Sequence, residues 1–213
     1  NGLEKVDYQQ KGETVPLMVN LKDKLFAKLV FSKFKEGLGI VDTEYFVTAA
    51  APMNRDVHRW FHAIGIDVTE IYGMTEDTGP ATIGVPGNAV ESFTKRLKAD
   101  SIEIPSVLNP IGKVGIPIPG TEVKVMEDGE LCIKGNHVAQ GYYKSEDQTK
   151  ETFDSDGWLH TGDLAEIDTE GYVKIIGRKK EILITSAGKN IAPVEVEDLI
   201  KPHQLIGQIC VVG

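Results

Sequence analysis

The sequence has few cysteines, no long apolar run and no basic cluster of more than three residues. Its two cysteines, Cys132 and Cys210, lie far apart in apolar segments. They are predicted to be buried free thiols in a reducing compartment, not a disulfide or zinc ligands. No apolar run approaches the ~18 residues of a membrane-spanning helix, and residues 1–7 hold no apolar signal-peptide core. These absences argue against a transmembrane protein and against a secreted, disulfide-rich one.

Positive charge is also scarce: 23 lysines and arginines against 32 aspartates and glutamates leave a net charge of −9. The longest basic block, Arg178-Lys179-Lys180, is too short to indicate general nucleic-acid binding. The bulk composition is ordinary for a globular protein, since 41% of the 213 residues are hydrophobic and 26% are charged. This length suffices for one large core, or for one domain and part of a second.

The first 83 residues alternate between helix and strand patterns. Apolar residues recur four positions apart in residues 17–36, which predicts a helix that ends at the glycines just after it. The apolar run 45–51 predicts a buried strand, Asn54 predicts a helix cap, and residues 66–72 predict a second strand. Strand, helix and strand in this order predict a parallel α/β layer.

From residue 84 the pattern changes. Residues 84–120 are rich in glycine and proline, and beyond them short apolar runs alternate with turn residues, which predicts β-hairpins. The predicted hairpins join residues 121–126 to 130–134 and residues 164–167 to 172–176. Short helices are predicted after Ser145 and from Pro193 to Lys201, and residues 208–212 predict a strand. Because the sequence stops at that strand, we expect it to be a fragment.

Residues 72–77, Tyr-Gly-Met-Thr-Glu-Asp, are the first candidate site, because they follow a predicted parallel strand directly. Ligands of α/β sheets collect at the carboxyl ends of strands. An aromatic ring, a glycine, a hydroxyl and a carboxylate could together stack on a base, admit a phosphate and hold Mg²⁺. From the residues alone, an ordinary strand-to-loop turn with a packed tyrosine remains an alternative.

The second candidate site pairs Thr161-Gly162-Asp163 with Gly177-Arg178. A predicted hairpin lies between these segments, so Asp163 and Arg178 are expected at the same end of it. A carboxylate can accept both hydroxyls of a ribose, and a guanidinium can add a hydrogen bond to ribose or phosphate. A surface ion pair across the hairpin is the alternative.

Two other patterns predict no site. Residues 186–190, Ser-Ala-Gly-Lys-Asn, lack the earlier glycine and the Ser or Thr of a phosphate-binding P-loop, and they predict a glycine turn before a helix. His58 and His62 lie four positions apart on one predicted helix. Without a third ligand they indicate an amphipathic helix face rather than a metal site.

Taken in order, these segments resemble the adenylate-forming superfamily, which includes acyl-CoA synthetases, firefly-type luciferases and peptide-synthetase adenylation domains. The similarity runs from about residue 20 to the end. Within the superfamily, residues 74–80 are most like those of long-chain and bubblegum-type fatty-acyl-CoA synthetases. The matching segments are Ala49–Pro52, Glu70–Glu76, Gly157–Asp163, Gly177–Glu181 and Gly188–Glu197.

The resemblance implies a role for each matched residue. Tyr72 would stack on adenine, Thr75 would contact the phosphate as a catalytic residue, and Glu76 would be both catalytic and the ligand of Mg²⁺. Asp163 and Arg178 would bind the ribose, and Lys180 would be the hinge. The remaining nucleotide or coenzyme A contacts implied are Ala50, Ala51, Pro52, the backbone of Glu70, Ile71, Gly73 and Met74, and Gly188 beside the pantetheine tunnel.

The implied reaction has two steps. A fatty acid or similar carboxylic acid attacks ATP to give acyl-AMP and pyrophosphate, and coenzyme A then displaces AMP. An aryl-CoA ligase, a luciferase-like enzyme and a non-catalytic nucleotide-binding relative are the alternatives. A cytoplasmic location is expected, with peripheral association with a membrane as an option because long-chain acids partition into bilayers.

The expected architecture is α/β: the end of a parallel α/β subdomain (residues 1–83), a small distorted β subdomain (84–177), then a hinge and the start of a mobile α+β C-terminal domain (178–213). The Ser/Thr/Gly-rich phosphate loop and the late C-terminal lysine of the superfamily do not occur in this sequence. We therefore expect the 213 residues alone to lack adenylation activity.

Overall fold

A computed structural model of the chain describes residues 2–85, 107–184, 190–201 and 203–212. Contacts among the residues divide the chain into two compact units. The first unit comprises Asn1–Tyr72 and Thr82–Pro119, and the second comprises Gly73–Ala81 and Gly120–Gly213. The predicted subdomain boundaries at residues 83 and 177, and the predicted hinge after residue 177, stay predictions.

The first unit begins with three helices: α1 (Gly2–Gln10), α2 (Leu17–Phe26) and α3 (Ser32–Leu38). The helix predicted over residues 17–36 is confirmed, although a π-helical turn, Ala27–Phe31, interrupts it between α2 and α3. It ends where Gly39 takes a left-handed φ of 69°, a conformation that glycine adopts without steric cost.

A parallel strand pair confirms the α/β layer. Strand β1 (Phe46–Thr48) pairs in parallel with β2 (Val68–Met74), with Thr48 opposite Glu70. Helix α4 (Arg55–Ala63) connects them, and the Asn54 side chain accepts the first backbone N–H groups, as predicted. Strand β1 is shorter than predicted because Ala50 has a φ of 71°, which ends the extended conformation. Strands β3 (Gly79–Ile83) and β4 (Ile116–Pro117) complete the sheet.

The second unit is built on a four-stranded antiparallel sheet whose strands follow in chain order. Its strands are β5 (Thr121–Val125), β6 (Glu130–Gly135), β7 (Leu159–Ile167) and β8 (Val173–Arg178). Both predicted hairpins are therefore confirmed. Side chains from the middle strands, Leu131, Ile133 and Leu159, are fully buried and form the core of this sheet.

Short elements complete the second unit. Helix α5 (Glu146–Thr152) follows Ser145, and helix α6 (Pro193–Ile200) has Pro193 at its first turn, as predicted. A 3₁₀ turn (Lys179–Glu181) follows β8, and strand β9 (Leu183–Ile184) pairs antiparallel with β10 (Asn190–Ile191). The predicted glycine turn at 186–190 lies mostly outside the described residues.

Two predictions about the last residues are wrong. Residues 208–212 form no strand, since within the described ranges no strand pairs with them, and the N–H of Val211 instead donates to Glu197 Oε1 at 2.9 Å. Cys210 lies in this segment and is exposed, whereas Cys132 in β6 is buried as predicted. In the part of the chain that the structure describes, no helix has the length and apolarity needed to cross a bilayer.

Candidate functional site

The segment 72–77 lies at the carboxyl end of β2. Tyr72, Gly73 and Met74 end the strand, and Thr75–Asp77 form a 3₁₀ turn. Asp77 is fully buried, and its Oδ1 accepts the N–H groups of Met74 at 3.0 Å and Gly79 at 3.2 Å. Burial raises the pKa of Asp77 above its ordinary value, although these two N–H groups oppose the shift. Asp77 thus fixes the turn that carries Thr75 and Glu76.

At Gly73 the backbone of this segment passes close to the backbone of Gly79 and Pro80. A Cβ atom built on Gly73 would overlap the carbonyl group of Gly79 and crowd Cα of Pro80. Real Cβ atoms do not make backbone contacts this close, so a side chain would force the two segments apart. The need for glycine at this position is therefore steric.

The small residues after β1 lie at the same end of the parallel strand pair as Tyr72, because β1 and β2 run in register. Ala50, Ala51 and Pro52 follow β1 directly, and both alanines are exposed. Ligands of α/β sheets collect at such carboxyl ends. Their role in nucleotide binding stays a prediction.

Glu70 contributes to the core through its side chain. Its side chain is 6% exposed, and its Oε1 lies 3.1 Å from Nδ1 of the buried His58. The side chain of Glu70 is therefore closed to a ligand, and the contact of its backbone with a nucleotide stays a prediction. In the described residues, no group of three or more His, Cys, Asp and Glu side chains could hold a metal ion.

The second candidate site brings Asp163 and Arg178 together. The two residues are opposite each other in the β7–β8 pair, and Arg178 Nε lies 3.0 Å from Asp163 Oδ1. The Asp163 side chain is 8% exposed and that of Arg178 is 57% exposed. The N–H of Asp163 donates to Thr161 Oγ1 at 3.1 Å, and this hydroxyl donates to the Leu131 carbonyl at 2.7 Å. The carboxylate is thus fixed by the sheet, whereas the guanidinium lies at the surface.

Sequence reasoning missed a polar cluster beside this pair. The carboxylate of Glu130 accepts the Gly162 N–H at 2.9 Å and the Lys179 ammonium at 3.0 Å, and it lies 3.2 Å from His160 Nδ1. Burial alone would raise the pKa of Glu130, but these donors outweigh burial and lower it. His160 is therefore part of a polar cluster with Glu130 and Lys179. No sequence signal links Glu130 to Gly162, because the contact depends on strand register.

A second missed residue contacts Glu76. The phenol of Tyr142 donates to Glu76 Oε1 at 2.6 Å. Among the described residues, Glu76 belongs to no group of three or more His, Cys, Asp and Glu side chains that could hold a metal ion. That arrangement suits Mg²⁺, which is commonly held by one or two carboxylates together with substrate phosphates.

Lys180 is exposed in the 3₁₀ turn after β8, and Gly188 lies outside the described residues. Tyr72 belongs to the first unit, whereas Glu76, Asp163 and Arg178 belong to the second. The convergence of these side chains on one nucleotide stays a prediction.

Comparison with known proteins gives three kinds of similarity. The model of the family described as "AMP-binding enzyme" matches residues 14–143. The long-chain-fatty-acid–CoA ligase FadD15 of Mycobacterium bovis is 36% identical over 197 residues, which are 92% of this chain and 29% of that protein. The long-chain-fatty-acid–CoA ligase ACSBG2 of Gallus gallus is 36% identical over 183 residues, which are 86% of this chain and 22% of that protein. The chain therefore spans less than a third of these curated relatives.

Solved structures are similar as well. ATP-bound MatB from Rhodopseudomonas palustris superposes with a TM-score of 0.63 at 31% identity, over 79% of this chain and 32% of that one. O-succinylbenzoate coenzyme A synthetase of Bacillus subtilis in complex with AMP has a TM-score of 0.66 over 87% of this chain and 41% of that one. At 22% identity, the latter similarity concerns the fold alone.

Proposed function

Because the chain belongs to the family of AMP-binding enzymes, we propose that it takes part in the reaction of an AMP-forming long-chain fatty-acid–CoA ligase. The observation that carries the nucleotide part is the buried Asp163 carboxylate paired with Arg178. A carboxylate held by the sheet, beside a guanidinium open to solvent, suits the two hydroxyls of a ribose. The fatty-acid part rests on the relatives FadD15 and ACSBG2, whose names state that activity.

In the first step, a carboxylate oxygen of the fatty acid attacks the α-phosphorus of ATP. An oxygen–phosphorus bond forms, the bond between the α-phosphorus and the bridging oxygen breaks, and pyrophosphate leaves with the electron pair. Both reactants are anions, so donors and cations must neutralise the developing charge. Thr75 would donate to the phosphate, and Tyr72 and Asp163 would hold the adenosine.

Glu76 would hold Mg²⁺, which supplies Lewis-acid stabilisation of the phosphate charge when bound. In the second step, the thiolate sulfur of coenzyme A attacks the acyl carbon and AMP leaves with the electrons of the acyl–oxygen bond. Lys180, in the exposed turn after β8, would be the hinge about which the C-terminal residues move between steps. Gly188 would then line the pantetheine tunnel.

The test is pyrophosphate–ATP exchange by the complete gene product, with fatty acids of increasing chain length. We expect exchange with long-chain acids, and an Asp163→Asn variant should bind AMP about 10–100-fold more weakly, because it loses charge-assisted hydrogen bonds. Glu166→Gln changes an exposed carboxylate of the same strand, and it should bind AMP normally. Equal AMP affinity of D163N and E166Q would contradict the nucleotide assignment.

A second candidate is an aryl-CoA ligase or another adenylate-forming enzyme. It is favoured by the similarity to a solved anthranilate CoA ligase, with a TM-score of 0.62 at 25% identity. Exchange with aromatic acids but not with fatty acids would support it. AMP binding without exchange for any acid would indicate a non-catalytic relative.

The cellular setting is part of the same proposal. We place the reaction in the cytoplasm, with peripheral membrane contact as an option because long-chain acids partition into bilayers.

The 213-residue chain assayed alone should show no exchange, since it lacks the phosphate loop and the late lysine of the superfamily. Robust turnover by this chain would overturn that expectation.

A further inference from the structure

We propose that Tyr142 is a positioning residue that holds the Glu76 carboxylate in the orientation needed for the metal that accompanies ATP. The inference rests on the proposed function, in which Glu76 is the Mg²⁺ ligand. It assigns a role to a tyrosine 66 positions away in the sequence, on the loop before α5.

The contact itself is short and specific. The Tyr142 hydroxyl donates to Glu76 Oε1 at 2.6 Å, within the range of charge-assisted bonds between a hydroxyl and a carboxylate. Among the described residues, the other oxygen of Glu76 makes no hydrogen bond or ion pair. One oxygen is therefore fixed by the phenol, and the other is left for a cation.

Tyr142 is held in place by α5. Its N–H donates to Thr149 Oγ1 at 2.9 Å, and this hydroxyl in turn donates to the Ser145 carbonyl at 2.7 Å. The Tyr142 ring meets Phe153 edge-on, with 5.8 Å between centroids. Tyr142 is consequently held at its backbone and at its ring, and its hydroxyl contacts Glu76.

Backbone hydrogen bonds also connect the loop before α5 to the 3₁₀ turn Thr75–Asp77, and they do not involve the phenol. The Ala139 N–H donates to the Glu76 carbonyl at 2.7 Å, and Thr78 Oγ1 donates to the His137 carbonyl at 2.7 Å. These bonds position the main chain of the turn but leave the carboxylate free to rotate. Loss of the Tyr142 hydroxyl should therefore release the carboxylate while the turn stays in place.

The substitution Tyr142→Phe isolates this hydroxyl, because it keeps the ring against Phe153. Groups that orient a metal ligand typically change metal affinity by about 10–100-fold when they are removed. We expect Y142F to weaken metal binding in the presence of ATP by at least about 10-fold. The nucleotide affinity without metal and the thermal unfolding midpoint should stay near their wild-type values.

The experiment titrates Mn²⁺, as a spectroscopic substitute for Mg²⁺, into the complete gene product saturated with a non-hydrolysable ATP analogue. Electron paramagnetic resonance then counts free and bound Mn²⁺ without requiring turnover. Tyr143→Phe is the matched control, since Tyr143 is 89% exposed and adjacent in sequence. Excess Mg²⁺ should restore pyrophosphate–ATP exchange in Y142F.

A second variant keeps the test informative. In a Glu76→Gln background, Y142F should cause no further loss of Mn²⁺ affinity, because the carboxylate that it positions is gone. Unchanged Mn²⁺ affinity in Y142F, or the same loss in Y143F, overturns the inference. A wild-type protein that binds no nucleotide and activates no acid contradicts instead the proposed function, so the two failures are distinguishable.

Discussion

The imidazole Nδ1 of His58 lies 3.1 Å from Oε1 of Glu70, with both side chains buried in the first unit. The other ring nitrogen, Nε2, lies 2.7 Å from the carbonyl oxygen of Val68. A carbonyl and a carboxylate only accept hydrogen bonds, so this arrangement favours protons on both ring nitrogens and hence a cationic His58. Burial opposes the charge and lowers the pKa of His58, but Glu70 and the Val68 carbonyl outweigh burial and raise it.

This pair predicts a pH-dependent stability. The folded-state pKa of His58 lies above the unfolded value of about 6.5. Its contribution to the free energy of unfolding is therefore complete below pH 6.5 and is lost as the pH rises through the folded-state pKa. Burial lowers the pKa of His62, so its contribution to the free energy of unfolding changes with pH in the opposite direction. A substitution of Glu70 leaves His62 in place, and comparison with the wild type therefore isolates the His58–Glu70 pair.

Glu70→Gln should lower the free energy of unfolding by about 3 kcal/mol at pH 6, because it removes one partner of a buried ion pair. The loss should be smaller at pH 8.5, because a smaller fraction of the wild-type His58 is protonated there. Urea unfolding at both pH values measures the difference, with the exposed His203→Gln as control. A Glu70→Gln loss of equal size at the two pH values would show that the pair is not ionic.

The left-handed backbone conformation of Ala50 predicts that a substitution by glycine is stabilising. Its φ of 71° lies in the left-handed region, where a side chain costs about 1–2 kcal/mol. Ala50→Gly removes this strain but increases the freedom of the unfolded chain, so we expect a net gain of up to about 1 kcal/mol.

Ala51→Gly is the control for Ala50, because the φ of Ala51 is negative. It should lose about 0.5–1 kcal/mol, since only the unfolded state benefits from the new freedom. Urea unfolding of both variants gives the comparison. The reverse order of stabilities would mean that the loop is not strained at Ala50.

The two cysteines should react at very different rates. Burial, followed by the nearby Glu130 carboxylate, raises the pKa of Cys132 to about 11, and its side chain has no exposed surface. Cys210 is exposed. Because the thiolate is the nucleophile, a disulfide reagent at pH 8 should label one thiol per native chain and two after unfolding. Cys210→Ser should abolish the fast labelling, and two fast thiols in the native chain would contradict the buried position of Cys132.

Lys179 should contribute to acid resistance. Its ammonium lies 2.6 Å from Asp128 and 3.0 Å from Glu130, and it helps to lower the pKa of Glu130 against the effect of burial. A carboxylate with a lowered pKa contributes stability above its unfolded pKa of about 4.3 and loses it as the pH falls.

Lys179→Met should therefore move the midpoint of acid unfolding to higher pH and cost about 1 kcal/mol near pH 7, a small value because Lys179 is partly exposed. Circular dichroism during acid titration measures the midpoint. Lys180→Met, the exposed neighbour, is the control. If both variants unfold at the same pH, the Lys179 contacts have no energetic role.

Local signals predicted much of this fold. Asp128-Gly129 specified a hairpin, Asn54 and Pro193 marked helix starts, and the apolar runs on either side of α4 indicated a parallel pair. Each of these signals acts within a few residues, so the local secondary structure can be predicted from residues that are adjacent in the sequence. The proximity of Asp163 and Arg178 was also predictable, because a single hairpin joins them.

Contacts between distant segments were not predictable in this way. The bond from Tyr142 to Glu76 spans 66 positions, and the Glu130 cluster depends on which residues face each other across β6 and β7. The strand predicted over residues 208–212 failed for the related reason that a strand needs a partner for its backbone groups. Such features follow from tertiary structure rather than from local preference.

Gly73 has a consequence for how this protein can diverge. The residue between the aromatic ring at 72 and the hydroxyl and carboxylate at 75 and 76 has no room for a side chain, because the carbonyl of Gly79 occupies that space. A side chain cannot be added at this position unless the backbone moves. Variation in this turn would have to come from its neighbouring residues, because the backbone crossing at Gly73 leaves no space for a side chain.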